Sequence, residues 1–271
     1  MNHRIVINPD ARLDSGFVRQ VAFARARHLL SGDQKNSVLT ICGENEFPHS
    51  GKLDFDVIHD GRNTIFRVGE LAVKIFCTNL TRRILYSFRA TKARRSYLNA
   101  ITLLDRGIDT PLPVAYTETR SAVGLLLDCR YVSSFVPSAS LDDFFESGDE
   151  RFIAGFASFM ARLHMAGIRH DDLNSTNIRV IQQPDGSFAF SLIDLNRMKI
   201  YPPGKPVPLH ECFRNFVRFS SLTKTFLHFV DLYLLARGLD PELAAQAIAV
   251  KEADNRRVER KKRLKRLIHR K

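Results

Sequence analysis

The sequence has no stretch approaching the ~20 uninterrupted apolar residues that a helical membrane span requires. Its best candidate, residues 226–236, is broken by His228 and Asp231, so a soluble protein is expected. The opening lacks the long apolar h-region of a signal peptide as well. Residues 1–18 contain Asp10 and Asp14 and do not read as a secretory signal, so export is not expected. Cysteine is sparse: Cys42, Cys77, Cys129 and Cys212 form no CxxC pair. That argues against a structural zinc site or a disulfide framework, and for reduced thiols in a cytoplasm. Internal repeats and low-complexity linkers are missing too. Acid is scarce where basic residues crowd. Residues 251–271 hold 11 Lys or Arg against 3 acids, a local +8 within a chain total of +12. What remains, 271 residues with 44% apolar and 26% charged, is ordinary globular material, long enough for one domain or for two lobes sharing a cleft.

After an apolar opening at Arg4 to Ile7, helical spacing of Val18, Val21, Ala22 and Leu29 predicts a helix over residues 15–30. A three-stranded meander follows. It comprises residues 55–59, a turn at Asp60-Gly61-Arg62-Asn63, residues 64–68, a Gly69-Glu70 turn, and residues 71–76. Residues 81–104 lack Gly and Pro and predict a helix closed at Gly107. Residues 125–128 and 131–136 read as strands, residues from Leu141 and 151–165 as helices, and 211–237 as helical again. The order is a β-rich half followed by an α-rich half.

The strongest chemical signal is His170-Asp171-Asp172-Leu173-Asn174-Ser175-Thr176-Asn177, an H-x-D-L-x-x-x-N pattern between a helix and a strand. Phosphoryl transfer needs an acceptor hydroxyl that is oriented and relieved of its proton, and a carboxylate at Asp172 can do both. Asn177, five residues on, offers a neutral oxygen to Mg²⁺, a hard cation that takes oxygen ligands. A hairpin signalled by Pro184-Asp185-Gly186 returns the chain to Asp194, a second metal ligand at the same end of one ladder. In the third strand, Ala72-Val73-Lys74 resembles the A-x-K of protein kinases. Alternation puts Ala72, Lys74 and Phe76 on one face, where a small residue leaves room for adenine and the ammonium reaches phosphate. Gly61 and Asn63 fall where a phosphate-covering loop belongs. Taken singly, Asp172 and Asn177 also suit a capped turn, Lys74 an exposed strand, and Asp194 a strand end. Their order and spacing together point to a kinase site with Asp172, Lys74 and His170 as its catalytic set and Asn177 and Asp194 on the metal.

With these residues in hand, the chain resembles the lipopolysaccharide kinase family, bacterial relatives of protein kinases that phosphorylate Kdo or heptose sugars. The resemblance runs from Ile5-Val6-Ile7-Asn8-Pro9 to Arg237-Gly238-Leu239-Asp240. It includes Lys92-Ala93-Arg94-Arg95-Ser96-Tyr97, the 170–177 motif, and Ser191-Leu192-Ile193-Asp194 followed by Asn196-Arg197-Met198. It implies a two-lobed, protein-kinase-like α+β fold with an ATP cleft between the lobes, ATP and Mg²⁺ as cofactors, and a sugar hydroxyl as acceptor. The expected division is an N-lobe over residues 1–133, a C-lobe over 134–250 and a basic helical tail over 251–271.

Two departures stand out. Asp194-Leu195-Asn196 replaces the D-F-G of protein kinases, and no A-P-E follows, which leaves a peptide-docking activation segment poorly supported. Residues 71–104 contain no Asp or Glu, and Leu98 is expected where kinases carry the helix glutamate that pairs with the strand lysine. A protein Ser/Thr kinase and a catalytically weak nucleotide-binding module remain as alternatives. The basic tail is either a solvated charge run or a contact to anionic membrane at the inner face of the cytoplasmic membrane, where a lipopolysaccharide core or other anionic glycolipid is presented. It interleaves no aromatics with its charges, so specific nucleic-acid binding is not expected.

Overall fold

The computed structural model describes residues 2–11, 18, 21–22, 25–26, 38–40, 52–54, 56–76, 79–145, 147–218 and 222–268. The chain divides into two compact units, Met1–Leu104 with Thr110–Val136, and Asp105–Asp109 with Pro137–Lys271.

The first unit is built on a six-stranded antiparallel sheet. Its strands are β1 (Asn2–Ile7), β2 (Asp56–Asp60), β3 (Thr64–Val68), β4 (Leu71–Ile75), β5 (Pro113–Arg120) and β6 (Leu126–Ser134), in the order β1-β5-β6-β4-β3-β2. The meander lies where the hydrophobic alternation puts it. Strand β5 was not legible from sequence, because Pro113 reads as a breaker. A proline is tolerated at the first residue of a strand, and there it sits. The predicted single strands at 125–128 and 131–136 are one continuous strand, β6. The helix expected over residues 15–30 lies partly outside the described residues, and the described part ends earlier. Val18, Val21 and Ala22 are helical and buried, whereas Arg25–Ala26 pairs as a strand with Val38–Thr40.

Period-two alternation gives the sheet two cores. One face buries Leu71 and Val73 with Phe66, Val68, Val114, Ala115, Val132, Ala11, Val18, Val21 and Ala22. The other carries Phe76 among Tyr86, Ala93, Tyr97, Tyr116, Leu126 and Cys129. This second face is covered by two helices, α1 (Leu80–Phe88) and α2 (Lys92–Asp105), where the lack of Gly and Pro predicts one. The break falls at Thr91. Its hydroxyl oxygen accepts the Arg94 N–H at 3.1 Å, which starts α2, and the same hydroxyl donates to Glu118 Oε1 at 2.7 Å. A hydroxyl at the N-cap satisfies an amide that no helical carbonyl reaches.

The second unit packs α4 (Glu150–Met165) and α6 (Lys224–Ala236) through stacked and edge-on aromatic rings; α3 (Asp142–Phe145) precedes them. Phe156 and Phe216 each lie 5.1 Å from Phe229, centroid to centroid. Asp149 caps α4, and Gly167 closes it at φ 70°. A Cβ there would stand 2.4 Å from Lys205 O, so both the backbone and the space require glycine. The expected helix over 211–237 is two, α5 (Leu209–Phe216) and α6, with α7 (Ala244–Ile268) after them. Helix α7 runs unbroken through residue 251, so the basic tail is not a separate element beginning there. Among the described residues no helix is long and apolar enough to cross a membrane.

Candidate active site

The H-x-D-L-x-x-x-N segment follows α4 directly. Strand β7 (Ile168–His170) pairs antiparallel with β10 (Met198–Ile200), setting His170 opposite Met198. After a turn, Asn174 caps the 3₁₀ turn Ser175–Asn177, and the chain enters the hairpin of β8 (Ile178–Gln182) and β9 (Phe188–Leu192). The Ile193 amide donates to Asn177 O at 3.0 Å, so Asp194 follows directly on the residue bonded to Asn177. The hairpin therefore places the two proposed metal ligands at one end of the ladder. Asp194 is at φ 58°, the single non-glycine in the left-handed region among the described residues. Such conformations cost free energy and concentrate at functional sites.

Asp172 is fixed from both sides of its backbone. Its amide donates to His170 Nδ1 at 3.1 Å, and Asn177 Nδ2 donates to its carbonyl at 2.9 Å. His170 is fully buried, and burial lowers its pKa, so the ring is neutral. With Nδ1 accepting, Nε2 carries the proton and donates to Ile193 O at 3.0 Å. The histidine thus ties the Asp172 turn to the strand that delivers Asp194. Both of its nitrogens are engaged and the ring is not exposed, an arrangement suited to positioning Asp172.

A second buried thread holds His170 in turn. Arg237 Nη1 donates to the Tyr233 hydroxyl at 2.7 Å, Tyr233 lies 2.9 Å from His164 Nδ1, and His164 Nε2 lies 3.1 Å from Asn215 Oδ1. Asn215 Nδ2 then donates to His170 O at 2.7 Å. Burial pushes the His164 pKa down to about 3, so this ring is neutral as well. A neutral ring accepts from Tyr233 and donates to Asn215, so both ring nitrogens are satisfied.

The Asp172 carboxylate faces two guanidinium groups. Arg197 Nη1 is 3.3 Å from Oδ2, and Arg218 Nη1 bonds Oδ1. Sequence reasoning missed both arginines and the Asn215 thread. Arg218 and Asn215 come from α5 and its C-terminal end, and no local spacing announces that a residue more than 40 positions away will return to the motif.

In the first unit, Lys74 projects from β4 on the face of Phe76, its Nζ 5.4 Å from that ring centroid. Its cross-strand neighbours are Ile65 and Tyr131. Leu98 lies on the outward side of α2. It is 46% exposed, while Ala93, Tyr97 and Ala100 turn inward. The buried carboxylate of this sheet is Glu118, which is paired with Arg120 at 3.0 Å and bonded by Thr91. Asp60-Gly61-Arg62-Asn63 forms the turn between β2 and β3. Gly61 needs no glycine-only backbone angle, though a Cβ would stand 2.9 Å from His59 Nε2. Asn63 Oδ1 is buried without a hydrogen-bond partner, a polar atom left for a ligand or water to satisfy.

No match was found among curated protein sequences. Among solved structures the chain is similar to WaaP in complex with acyl carrier protein, at 18% identity and TM-score 0.52 over 95% of this chain and 98% of that one. Weaker likenesses include a choline/ethanolamine kinase family protein from Mesorhizobium loti, at 10% identity and TM-score 0.47 over 74% of this chain and 75% of that one. Another is WbdD with the kinase inhibitor LY294002, at 17% and 0.43 over 75% and 46%. The WaaP likeness shows a protein-kinase-like α+β fold. The profile of the lipopolysaccharide kinase (Kdo/WaaP) family matches residues 62–203, more than half of the 271 residues; the chain belongs to that family, and it is a kinase.

Proposed function

We propose that the chain transfers the γ-phosphoryl group of ATP to a hydroxyl of a Kdo or heptose sugar in the lipopolysaccharide core, at the inner face of the cytoplasmic membrane. The observation that carries this reading is the convergence of Asp172, Asn177 and Asp194 through one hairpin and one neutral, buried histidine. Asp172 orients the acceptor hydroxyl and takes its proton as the new O–P bond forms and the bond to the β-phosphate oxygen breaks, releasing ADP.

The donor set fits a magnesium ion: Asn177 spends its amide nitrogen on Asp172 O, which leaves its amide oxygen to a ligand, and Asp194 would add a carboxylate. No group of three or more His, Cys, Asp or Glu among the described residues could hold a metal alone. Two protein oxygens completed by phosphate and water is the arrangement that suits this ion. When bound, the ion neutralises charge on the phosphates. In the same reading Lys74 bonds phosphate, Ala72 leaves room for adenine, and Gly61 and Asn63 cover the phosphates.

Mass spectrometry of lipid A–core from cells with and without the protein tests the substrate class: its loss removes one phosphate, and Asp172→Asn fails to restore it. An unchanged glycolipid sinks the reading. In purified protein, Asp172→Asn abolishes turnover with nucleotide affinity kept within about tenfold, because the base touches the acceptor and not the nucleotide. A larger loss of affinity contradicts the role given to Asp172.

A further inference from the structure

We infer that Arg197 and Arg218 form an anion-binding pair at the acceptor subsite, so that the preferred acceptor carries a negative group close to the hydroxyl that is phosphorylated. The inference rests on the proposed role of Asp172 as base. Both guanidiniums reach that carboxylate, one on each oxygen, and each does so through a single nitrogen, Nη1. Their side chains are 57% and 52% exposed, against 19% for Asp172. Exposed ion pairs of this kind are held weakly, and a guanidinium offers five donors in a planar fork suited to a carboxylate or phosphate. Two forks aimed at one carboxylate are therefore poised for a second anion.

The location decides which anion. Groups that touch both oxygens of the base lie where the base meets the acceptor hydroxyl, so an anionic substituent near that hydroxyl comes within their reach. Its arrival draws the arginines off Asp172 and returns the carboxylate oxygens to the hydroxyl proton. A neutral sugar leaves both carboxylate oxygens of the base engaged by guanidiniums and turned away from the hydroxyl. The pair thereby selects for acceptor charge as well as holding it. A sugar carboxylate and a sugar phosphate both satisfy this chemistry.

The test compares acceptors that differ only in charge. The methyl glycoside of Kdo is measured beside its C1 amide, and heptose 7-phosphate beside heptose, with wild type, Arg197→Ala, Arg218→Ala and the two Lys variants. Wild type should favour at least one charged acceptor over its neutral partner by about tenfold or more in kcat/KM, the worth of a charge-assisted contact. Either Ala variant should erase that preference, chiefly through KM, and the Lys variants should restore part of it. The member of the two pairs that shows the preference identifies carboxylate or phosphate as the source. Equal losses on charged and neutral acceptors would instead place the arginines on the transferred phosphoryl group and overturn the inference.

A turnover-independent arm separates this from failure of the sugar reading. Inorganic phosphate is titrated calorimetrically into the same proteins and into Asp172→Asn. Wild type should bind it, both Ala variants should lose at least about tenfold in affinity, and Asp172→Asn should bind it more tightly, because its guanidiniums are released. Should no sugar be phosphorylated yet phosphate binding follow this pattern, the sugar reading falls and the anion pair stands. Phosphate binding that is absent in wild type, or equal in all variants, removes the pair.

Discussion

His164 and His170 show how two neutral rings make an acidic site rigid. Each is buried, each has one nitrogen donating and one accepting, and together they link Arg237 to the Asp172 turn. Proton uptake by His164 would turn its acceptor nitrogen into a donor facing Tyr233, so the folded state resists charging it. Its pKa falls from an ordinary 6.5 to about 3. In the unfolded chain the ring is protonated below 6.5, and in the folded chain only near 3. The stabilisation is therefore complete above pH 6.5 and drains away as pH falls toward 3. Urea unfolding across that window should show the midpoint dropping. His164→Gln, which keeps an N–H for Asn215 but takes up no proton, should flatten the curve, with the remaining slope owed in part to His170. A curve of unchanged steepness in the variant would mean His164 is not the titrating group. At this scale the sequence was legible where chemistry is local: Asp172, Asn177 and Asp194 sit on one motif and one hairpin. Arg197 and Arg218 were illegible because their meaning arises only when separate segments meet at Asp172.

Among elements, the break between α1 and α2 carries most weight, since it sets the helix that covers the Lys74 face of the sheet. A sequence without Gly or Pro has no obvious stop, yet a threonine can end one helix and begin another by offering the backbone a side-chain partner. Thr91 does so while satisfying the buried Glu118 carboxylate. Thr91→Ala removes both contacts and should cost about 1–3 kcal/mol, the sum of a lost cap and a buried acceptor left short of a partner. Thr91→Ser, which keeps the hydroxyl, should cost well under half of that in the same urea titration. Equal costs would assign the effect to the lost methyl packing. The meander and the 178–192 hairpin were readable because alternation and turn residues agree there. Strand β5 and the α1–α2 break were not, because in each a single residue plays the rarer of its two roles: Pro113 opens a strand, and Thr91 caps where it would otherwise continue a helix.

Over the whole molecule, charge is distributed to leave one end of the chain strongly basic, but its useful boundary is not where composition alone puts it. Lys251 is buried at 3% exposure, its ammonium bonds Val217 O, and it lies 5.8 Å from the Phe226 ring centroid. It anchors α7 beside the residue that precedes Arg218, so deleting from position 251 would disturb the second unit as well as the tail. The clean truncation removes residues 256–271, which carry 10 Lys or Arg against 1 acid. In the first unit, α1 also exposes Leu80, Ile84 and Phe88 at 65%, 50% and 87%, an i, i+4, i+8 stripe beside Arg82 and Arg83. Basic residues near an anionic surface contribute about 1 kcal/mol each before screening. Loss of the tail should therefore weaken binding to anionic vesicles while leaving transfer to a soluble sugar acceptor intact. The difference should shrink as salt rises, because charges separated by more than about 8 Å are screened at physiological ionic strength. Sedimentation of full-length and truncated protein with phosphatidylglycerol vesicles over a salt series measures it. Residual binding of the truncated form that is abolished by Phe88→Ser would locate the remainder on α1. Equal binding of the two forms at low salt would leave the tail as a solvated helix with no part in membrane contact.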